Sequence, residues 1–401
     1  MTTPHPPRTP LRSLASVALI VLISAAVAVI AAELYLASRA TSDLTLPFYN
    51  RLYPYVMFRP YENHAYVSAE PHLMSRGRKQ VFHYTNEDGF RVPALDYPLP
   101  REKPDGQLRV AVLGSSAVQL GSTFEDTLPG ALKALLRREY PGRDIEVINA
   151  GNQSCVSRQS IAQLVFTVAD YQPDIVILYD GVNDLGLPLT YEARPNFPYN
   201  FHVMEQAWEL YRRQRRTPPW RLALDRSHLY GALRARFGAA HEPLTDPVTG
   251  QGLGSTAIPA RQLLQQDGAV TRHVAAYLAN WRKLAELSAA YGYDPVCVLQ
   301  PTGSLEPGYA VPLLMREFHL SEQTATDWTK ALAALYAETE QQIEDLRAGR
   351  PDAVFLNLAR SLAPAADHFW DLCHVYDETN PILAERLLRE IRPQVERRLP
   401  R

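Results

Sequence analysis

Apolar and polar positions alternate with different periods along this chain, and the changes of period mark its parts. From Ser13 to Ala32 no charge interrupts the apolar run, about the twenty residues a helix needs to cross a bilayer. Glu33 closes the run, and Arg8 and Arg12 are the only charges ahead of it. The pattern supports an uncleaved anchor over residues 13–36, with 1–12 left inside as a cytoplasmic tail. It also supports a cleaved signal followed by secretion, because Ala26-Val27-Ala28 has the A-x-A form. The run is longer than a usual signal core, so the anchor is the preferred expectation.

Residues 40–108 are rich in Tyr and Pro and show little periodicity. They read as a stalk and wrap-around segment with short strands at most. Within it, Thr85-Asn86-Glu87-Asp88-Gly89-Phe90-Arg91 has turn chemistry around Gly89.

From Arg109 the pattern becomes βα. Val110–Leu113 is a short, wholly apolar run suited to a buried parallel strand. Leu128, Leu132, Leu135 and Leu136 mark a helix with Pro129 in its first turn, where proline is tolerated. Ile145–Asn149 reads as the next strand, Ile161, Leu164, Val165 and Val168 as a helical face, and Asp174–Tyr179 as a third strand. Residues 185–268 break the alternation with prolines, glycines and an arginine-rich stretch at 212–216, so an inserted excursion, partly helical over 227–237, is expected. The arginines there fit a solvated face or a contact with anionic lipid or an acidic polymer.

Alternation resumes with Val274, Tyr277, Leu278, Trp281, Leu284 and Leu287 on one helical face, stopped by Gly292. The strand Pro295–Leu299, a helix over 321–347, the strand Ala353–Leu358 and a helix after Asn380-Pro381 complete the series. This pattern predicts a parallel five-stranded sheet with helices on both faces, a domain over 109–397, with ligands bound at the carboxyl ends of the strands.

Composition narrows the picture. The net charge of −2 gives no electrostatic case for nucleic acid. The three cysteines, Cys155, Cys297 and Cys373, lack metal-site spacing; Cys297 sits in an apolar strand pattern and reads as a small core residue.

The candidate chemistry lies at the predicted strand ends. Gly114-Ser115-Ser116 follows the first strand and carries a hydroxyl nucleophile in need of a base. Asp371-Leu372-Cys373-His374 follows the fifth; its spacing sets a carboxylate against one imidazole nitrogen and leaves the other to accept a proton. Gly181-Val182-Asn183-Asp184 follows the third; the Asn183 amide suits a developing oxyanion, and Asp184 suits a tie to backbone N–H groups. Asn149-Ala150-Gly151-Asn152-Gln153-Ser154 follows the second and offers backbone N–H groups to the same place. Each of these alone also fits an ordinary turn.

Taken in this order, the chain resembles the SGNH/GDSL hydrolase family from about Asn86 to Arg397, apart from the excursion. The resemblance implies a flavodoxin-like three-layer α/β/α fold, a serine esterase activity and no cofactor or metal. It casts Ser116 as nucleophile, Asp371 and His374 as the D-x-x-H pair, and Asn183 as the oxyanion asparagine of G-x-N-D. Thr85–Arg91 and the Val298-Leu299-Gln300-Pro301 strand end also resemble membrane-anchored bacterial members. That implies an inner-membrane protein whose C-terminal domain faces the periplasm or cell exterior.

Two positions depart from the family. Ser115 replaces the aspartate of G-D-S and removes a loop-ordering carboxylate. Ser154 aligns with the second-block glycine, which leaves a backbone N–H for the oxyanion but adds a side chain near the site.

Cys155 and Cys373 flank this constellation, placed either to pair across it or to stand as two small residues. A different reading takes His368, Asp371 and His374 as a metal-binding stripe on a helix. The expected partner is an acyl-ester substrate, with an O-acetylated envelope glycan as its class. Transfer of the acyl group to a sugar hydroxyl, or an inactive binding protein on the same fold, are the alternatives.

Overall fold

The computed structural model describes residues 10–39, 65–67, 82–153, 155–190, 227, 229–230 and 259–399. These belong to two units, one carrying the N-terminal helix α1 (Pro10–Arg39) with residues 227, 229 and 230, the other all the rest. Within α1, Ser16–Tyr35 has a mean hydropathy of 2.7 and is long and apolar enough for a membrane span or a signal sequence. Glu33 near its end accepts hydrogen bonds from the Ser227 hydroxyl at 2.9 Å and the Leu229 amide at 2.8 Å.

The second unit is an α/β fold on a mixed sheet. Its strands are β1 (Ala65–Val67), β2 (Phe82–Thr85), β3 (Arg91–Val92), β4 (Gln107–Gly114), β5 (Asp144–Gly151), β6 (Ile175–Asp180), β7 (Asp294–Leu299) and β8 (Val354–Asn357). They lie in the order β1-β2-β3-β5-β4-β6-β7-β8. From β5 to β8 every pairing is parallel, while β1, β2 and β3 add to the β5 edge antiparallel. The sheet is therefore larger than the five parallel strands expected. The added strands are two to four residues long, too short for any period to show in the sequence.

Side-chain alternation along β4 builds two cores. Leu108, Val110 and Val112 face the helices α3 (Leu128–Glu139) and α10 (Asn380–Arg398), through Leu132, Leu136, Leu387 and Ile391. Ala111 and Leu113 face α4 (Ser157–Phe166), α7 (Ala269–Tyr291) and α9 (Glu322–Gly349), through Leu164, Leu278, Trp281 and Leu335. A strand buried on both faces must be apolar throughout, which is why 110–113 carries no polar residue. Cys297 is fully buried in this second core.

The register levels the carboxyl ends. Gly114 of β4 sits opposite Gly151 of β5 on one side and Tyr179 of β6 on the other, so the three following loops open at one height. Order reverses at β4, the place where open α/β sheets leave a crevice.

Several helices differ from expectation. Ser116 opens a four-residue helix, α2 (Ser116–Gln119), rather than lying on a plain turn. Asn183 and Asp184 lie in the first turn of α5 (Val182–Thr190). The expected excursion over 185–268 begins and ends inside the packed unit: Leu189 of α5 and Ala260 and Leu263 of α6 (Pro259–Gln265) are buried in the core. The arginine-rich stretch at 212–216 and most of the helix expected over 227–237 lie outside the described residues. Helix α8 (Pro307–Glu317), with Pro312 inside it, was hidden by its prolines.

Candidate active site

The loop after β8 brings Asp371, Cys373 and His374 to the start of α2. It is closed as a narrow loop by an antiparallel bridge between Phe369 and Val375 and by the Tyr376 amide on the His368 carbonyl. Residues of the 300s brace it from beneath. Thr302 and Ser304 donate their hydroxyls to the Leu372 carbonyl at 2.7 and 3.1 Å, and the Tyr309 phenol reaches the Phe369 and Asp371 carbonyls, each at 3.0 Å.

On that loop His374 Nε2 lies 2.7 Å from Ser116 Oγ, and Nδ1 lies 2.5 Å from Asp371 Oδ2. The other Asp371 oxygen accepts the backbone N–H groups of Cys373 and His374 at 2.8 and 2.7 Å. The carboxylate is thus anchored by one oxygen and orients the imidazole with the other. Trp370 stacks on the ring, with centroids 5.2 Å apart and planes 16° from parallel, which restricts its tilt.

Charge follows from this geometry. Burial disfavours the Asp371 carboxylate, but the facing His374 ring and the two backbone N–H groups outweigh it and hold its pKa below the usual range. Burial pulls His374 down, yet Asp371 more than offsets that and, together with Cys373, leaves the imidazole well above its ordinary value. Burial pushes the Cys373 thiol up.

Ser116 is held by residues outside its own segment. A helix of four residues cannot sustain itself, and its last carbonyls need partners. Asn149 of β5 donates its amide to the Val118 carbonyl at 3.0 Å and accepts the Gly151 amide with its oxygen. Arg91 of β3, fully buried, donates to the carbonyls of Gln119 at 2.5 Å, Gly121 at 2.8 Å and Phe82 at 3.1 Å. Arg91 and Asn149 are register partners across β3 and β5, so neighbouring side chains grip neighbouring carbonyls of α2. This ordering stands where Ser115 supplies no carboxylate; the Ser115 side chain makes no cap bond, although its carbonyl accepts the Val118 amide at 3.0 Å. Gly114 leaves room for the turn, since a Cβ there would collide with the Tyr179 carbonyl and the Val118 side chain.

The end of β6 leads into α5, which carries Asn183 and Asp184. Asn183 Nδ2 donates to the Cys155 carbonyl at 2.8 Å, which uses one of its two amide hydrogens and leaves a second to give. Asp184 accepts the Ser157 amide at 2.9 Å and the Ser157 hydroxyl at 2.6 Å, tying α5 to the first turn of α4. Burial pushes the Asp184 pKa up to about 6 against the pull of Ser157. Gly181, with φ +140°, makes the turn between β6 and α5, and a Cβ there would press on Leu299 at 2.8 Å. Behind it Asp180 is buried and accepts the Tyr277 phenol at 2.6 Å and the Trp281 indole at 3.2 Å. Burial, and then the charge of Asp184, raises Asp180 well above the usual carboxylate range.

Other expectations fare differently. Ser154 lies outside the described residues. No disulfide joins Cys155 and Cys373: Cys155 is buried, and the Cys373 sulfur is turned onto the His374 ring, 3.6 Å from Nδ1, rather than across the site. His368 does not share a helical stripe with Asp371 and His374, because the segment is a bridged loop; its ring faces the Thr379 hydroxyl at 3.4 Å instead.

Arg91 and Asn149 stand in the Thr85–Arg91 and Asn149–Ser154 stretches singled out in the sequence, but their grip on α2 is not legible there, and Thr302, Ser304, Tyr309 and Trp370 carry no motif of their own. The sequence signal for Thr302 and Ser304 was their place after a predicted strand end.

No protein-family model matches the chain, and no curated protein matches it. Among solved structures, a catalytic mutant of Axe2, an acetylxylan esterase from Geobacillus stearothermophilus, is similar over 71% of this chain and 94% of its own, at 15% identity and a TM-score of 0.37. LAE5, an α/β hydrolase from the metagenome of Lake Arreo in Spain, is similar over the same shares, 71% and 94%, at 12% identity and a TM-score of 0.35.

Proposed function

We propose that the protein is a serine ester hydrolase of the SGNH type. The observation that carries this reading is the hydrogen-bonded line Ser116–His374–Asp371, at 2.7 and 2.5 Å, assembled from the ends of β4 and β8. In the proposed reaction Ser116 Oγ attacks the ester carbonyl while His374 Nε2 takes its proton. Asp371 holds the remaining N–H on Nδ1 and stabilises the imidazolium that forms. The second amide hydrogen of Asn183 and the backbone N–H groups of Ser116 and Ser154 hold the oxyanion. His374 then gives its proton to the leaving alcohol, and water releases the acyl group by the same steps in reverse.

The apolar helix α1 supports placement as a single-pass anchor, with the enzyme domain on the periplasmic or outer face. An O-acyl group on an envelope glycan is the substrate class this location favours. The test is labelling of the full chain by a fluorophosphonate probe. Labelling of the wild type and its loss in Ser116→Ala is the expected result; a folded wild type that takes no label overturns the proposal. Acetate released without an added acceptor distinguishes hydrolysis from transfer to a sugar.

A further inference from the structure

The segments that carry Ser116 and His374 meet a second time. Asp377 follows His374 by three residues and Ser122 follows Ser116 by six, and both are buried. The Ser122 hydroxyl donates to Asp377 Oδ2 at 2.5 Å and the Ser122 amide donates to Oδ1 at 3.2 Å. We infer that Asp377 is a positioning residue for the proposed reaction: through Ser122 it fixes where the His374 base stands relative to the Ser116 nucleophile. The role rests on the proposed function; the contact does not.

The other contacts fix each segment by itself. Arg91 holds the Gln119 and Gly121 carbonyls to the sheet, and the Phe82 amide holds that of Ser122 at 2.7 Å. The histidine loop is closed on itself by the Phe369–Val375 bridge and by the Tyr376 amide on the His368 carbonyl. Asp377 comes directly after that closure and joins the loop to the serine segment. Residues 116–122, the Asp377 carboxyl group, residues 377 back to 374 and the Ser116–His374 bond then make one closed ring. Both Asp377 oxygens are engaged, so the carboxyl group is held at two points. A second tie, from the Asn380 side-chain amide to the Asp126 carbonyl at 2.7 Å, joins the same stretches further from Ser116. It holds them together when Asp377 is replaced.

The role has a distinct kinetic signature. Loss of the tie displaces the histidine loop as a unit and leaves its interior intact. Asp371 lies on the same loop as His374, so their bond and the raised imidazole pKa persist. What suffers is proton transfer from Ser116, since a misplacement of about 1 Å costs about a hundredfold. Asp377 is 3% exposed and does not meet substrate, so KM stays.

The test is steady-state hydrolysis of an activated acetyl ester by the full chain in detergent. Active sites are counted with the fluorophosphonate probe, so unfolded protein drops out. In Asp377→Ala, kcat per labelled site should fall by about ten- to a hundredfold with KM unchanged. Asp377→Asn should recover most of that loss, because its Oδ1 still accepts the Ser122 amide and its Nδ2 donates to the Ser122 hydroxyl. Ser122→Ala removes one hydroxyl and no charge. It should lower kcat without moving the inflection of the pH–rate profile, and should add nothing to Asp377→Ala in the double variant. Wild-type kcat per labelled site in Ser122→Ala and in whatever Asp377→Ala folds overturns the role. So does a loss confined to KM, or a double variant whose losses multiply. A folded wild type that neither labels nor hydrolyses overturns the hydrolase reading and takes the role with it, whereas an active wild type with indifferent variants overturns the role alone.

Discussion

His374 Nε2 meets Ser116 Oγ at 2.7 Å across 258 positions of sequence. The His374 ring is held within its loop by Asp371 and by stacking on Trp370, and the loop's carbonyls are held in turn by Thr302, Ser304 and Tyr309.

The raised pKa of His374 has a direct kinetic sign. A general base works only when neutral, so kcat/KM is low below that pKa and climbs as pH rises through it. The inflection should fall above the ordinary histidine value of 6.5. In Asp371→Asn the main offsetting charge is gone, so the inflection moves down, and the rate drops by about 10⁴-fold because the tautomer is no longer held. A pH–rate profile of both proteins checks this; an unshifted inflection contradicts it.

Asn183→Ala removes the proposed oxyanion donor and leaves the Ser116–His374 pair untouched. We expect kcat to fall by about 10²–10³ with KM little changed, as for loss of one oxyanion hydrogen bond. Steady-state kinetics on a small acyl ester reads both constants. A loss confined to KM would reassign Asn183 to substrate binding.

Arg91→Met strands the carbonyls of Gln119, Gly121 and Phe82 in a buried place. The expected cost is about 3 kcal/mol or more in unfolding free energy, from several lost charge-assisted bonds. Urea unfolding measures it. The surviving folded fraction should also label more slowly with the fluorophosphonate probe, because α2 carries Ser116.

Asp180 gives a prediction about pH and stability. Its folded pKa is raised above the ordinary 3.8, so as pH climbs past 3.8 the unfolded chain sheds this proton while the folded chain keeps it. Stability from this group is complete below 3.8 and is lost progressively until pH passes the folded value. Asp180→Asn keeps an acceptor for Tyr277 and Trp281 and does not titrate. Relative to wild type it should gain stability as pH rises from about 4 to about 8, read from urea midpoints across that range. A constant difference would contradict the raised pKa.

Some of this was legible in the residues alone. Unbroken apolar runs at 110–113 and 295–299 suited strands buried on both faces, and helical faces between them pointed to an α/β fold. The local motifs could be read because their chemistry lies within a few residues: Asp371 three before His374, Asn183 and Asp184 just past Gly181. Local sequence also determined that a serine follows the β4 strand, but not that it is held. That depends on Asn149, set beside α2 by the register of β5 on β4, and on Arg91, set there by the pairing of β3 with β5.

The direction of the Cys373 sulfur shows the same division. Flanking positions in the sequence left open a bridge to Cys155. The bridge between Phe369 and Val375 folds the loop so that the thiol meets His374 instead. Periodicity and spacing report contacts within one element, whose geometry repeats along the chain. Contacts between distant strand ends repeat nowhere in the sequence, so only the assembled sheet brings Ser116 and His374 together.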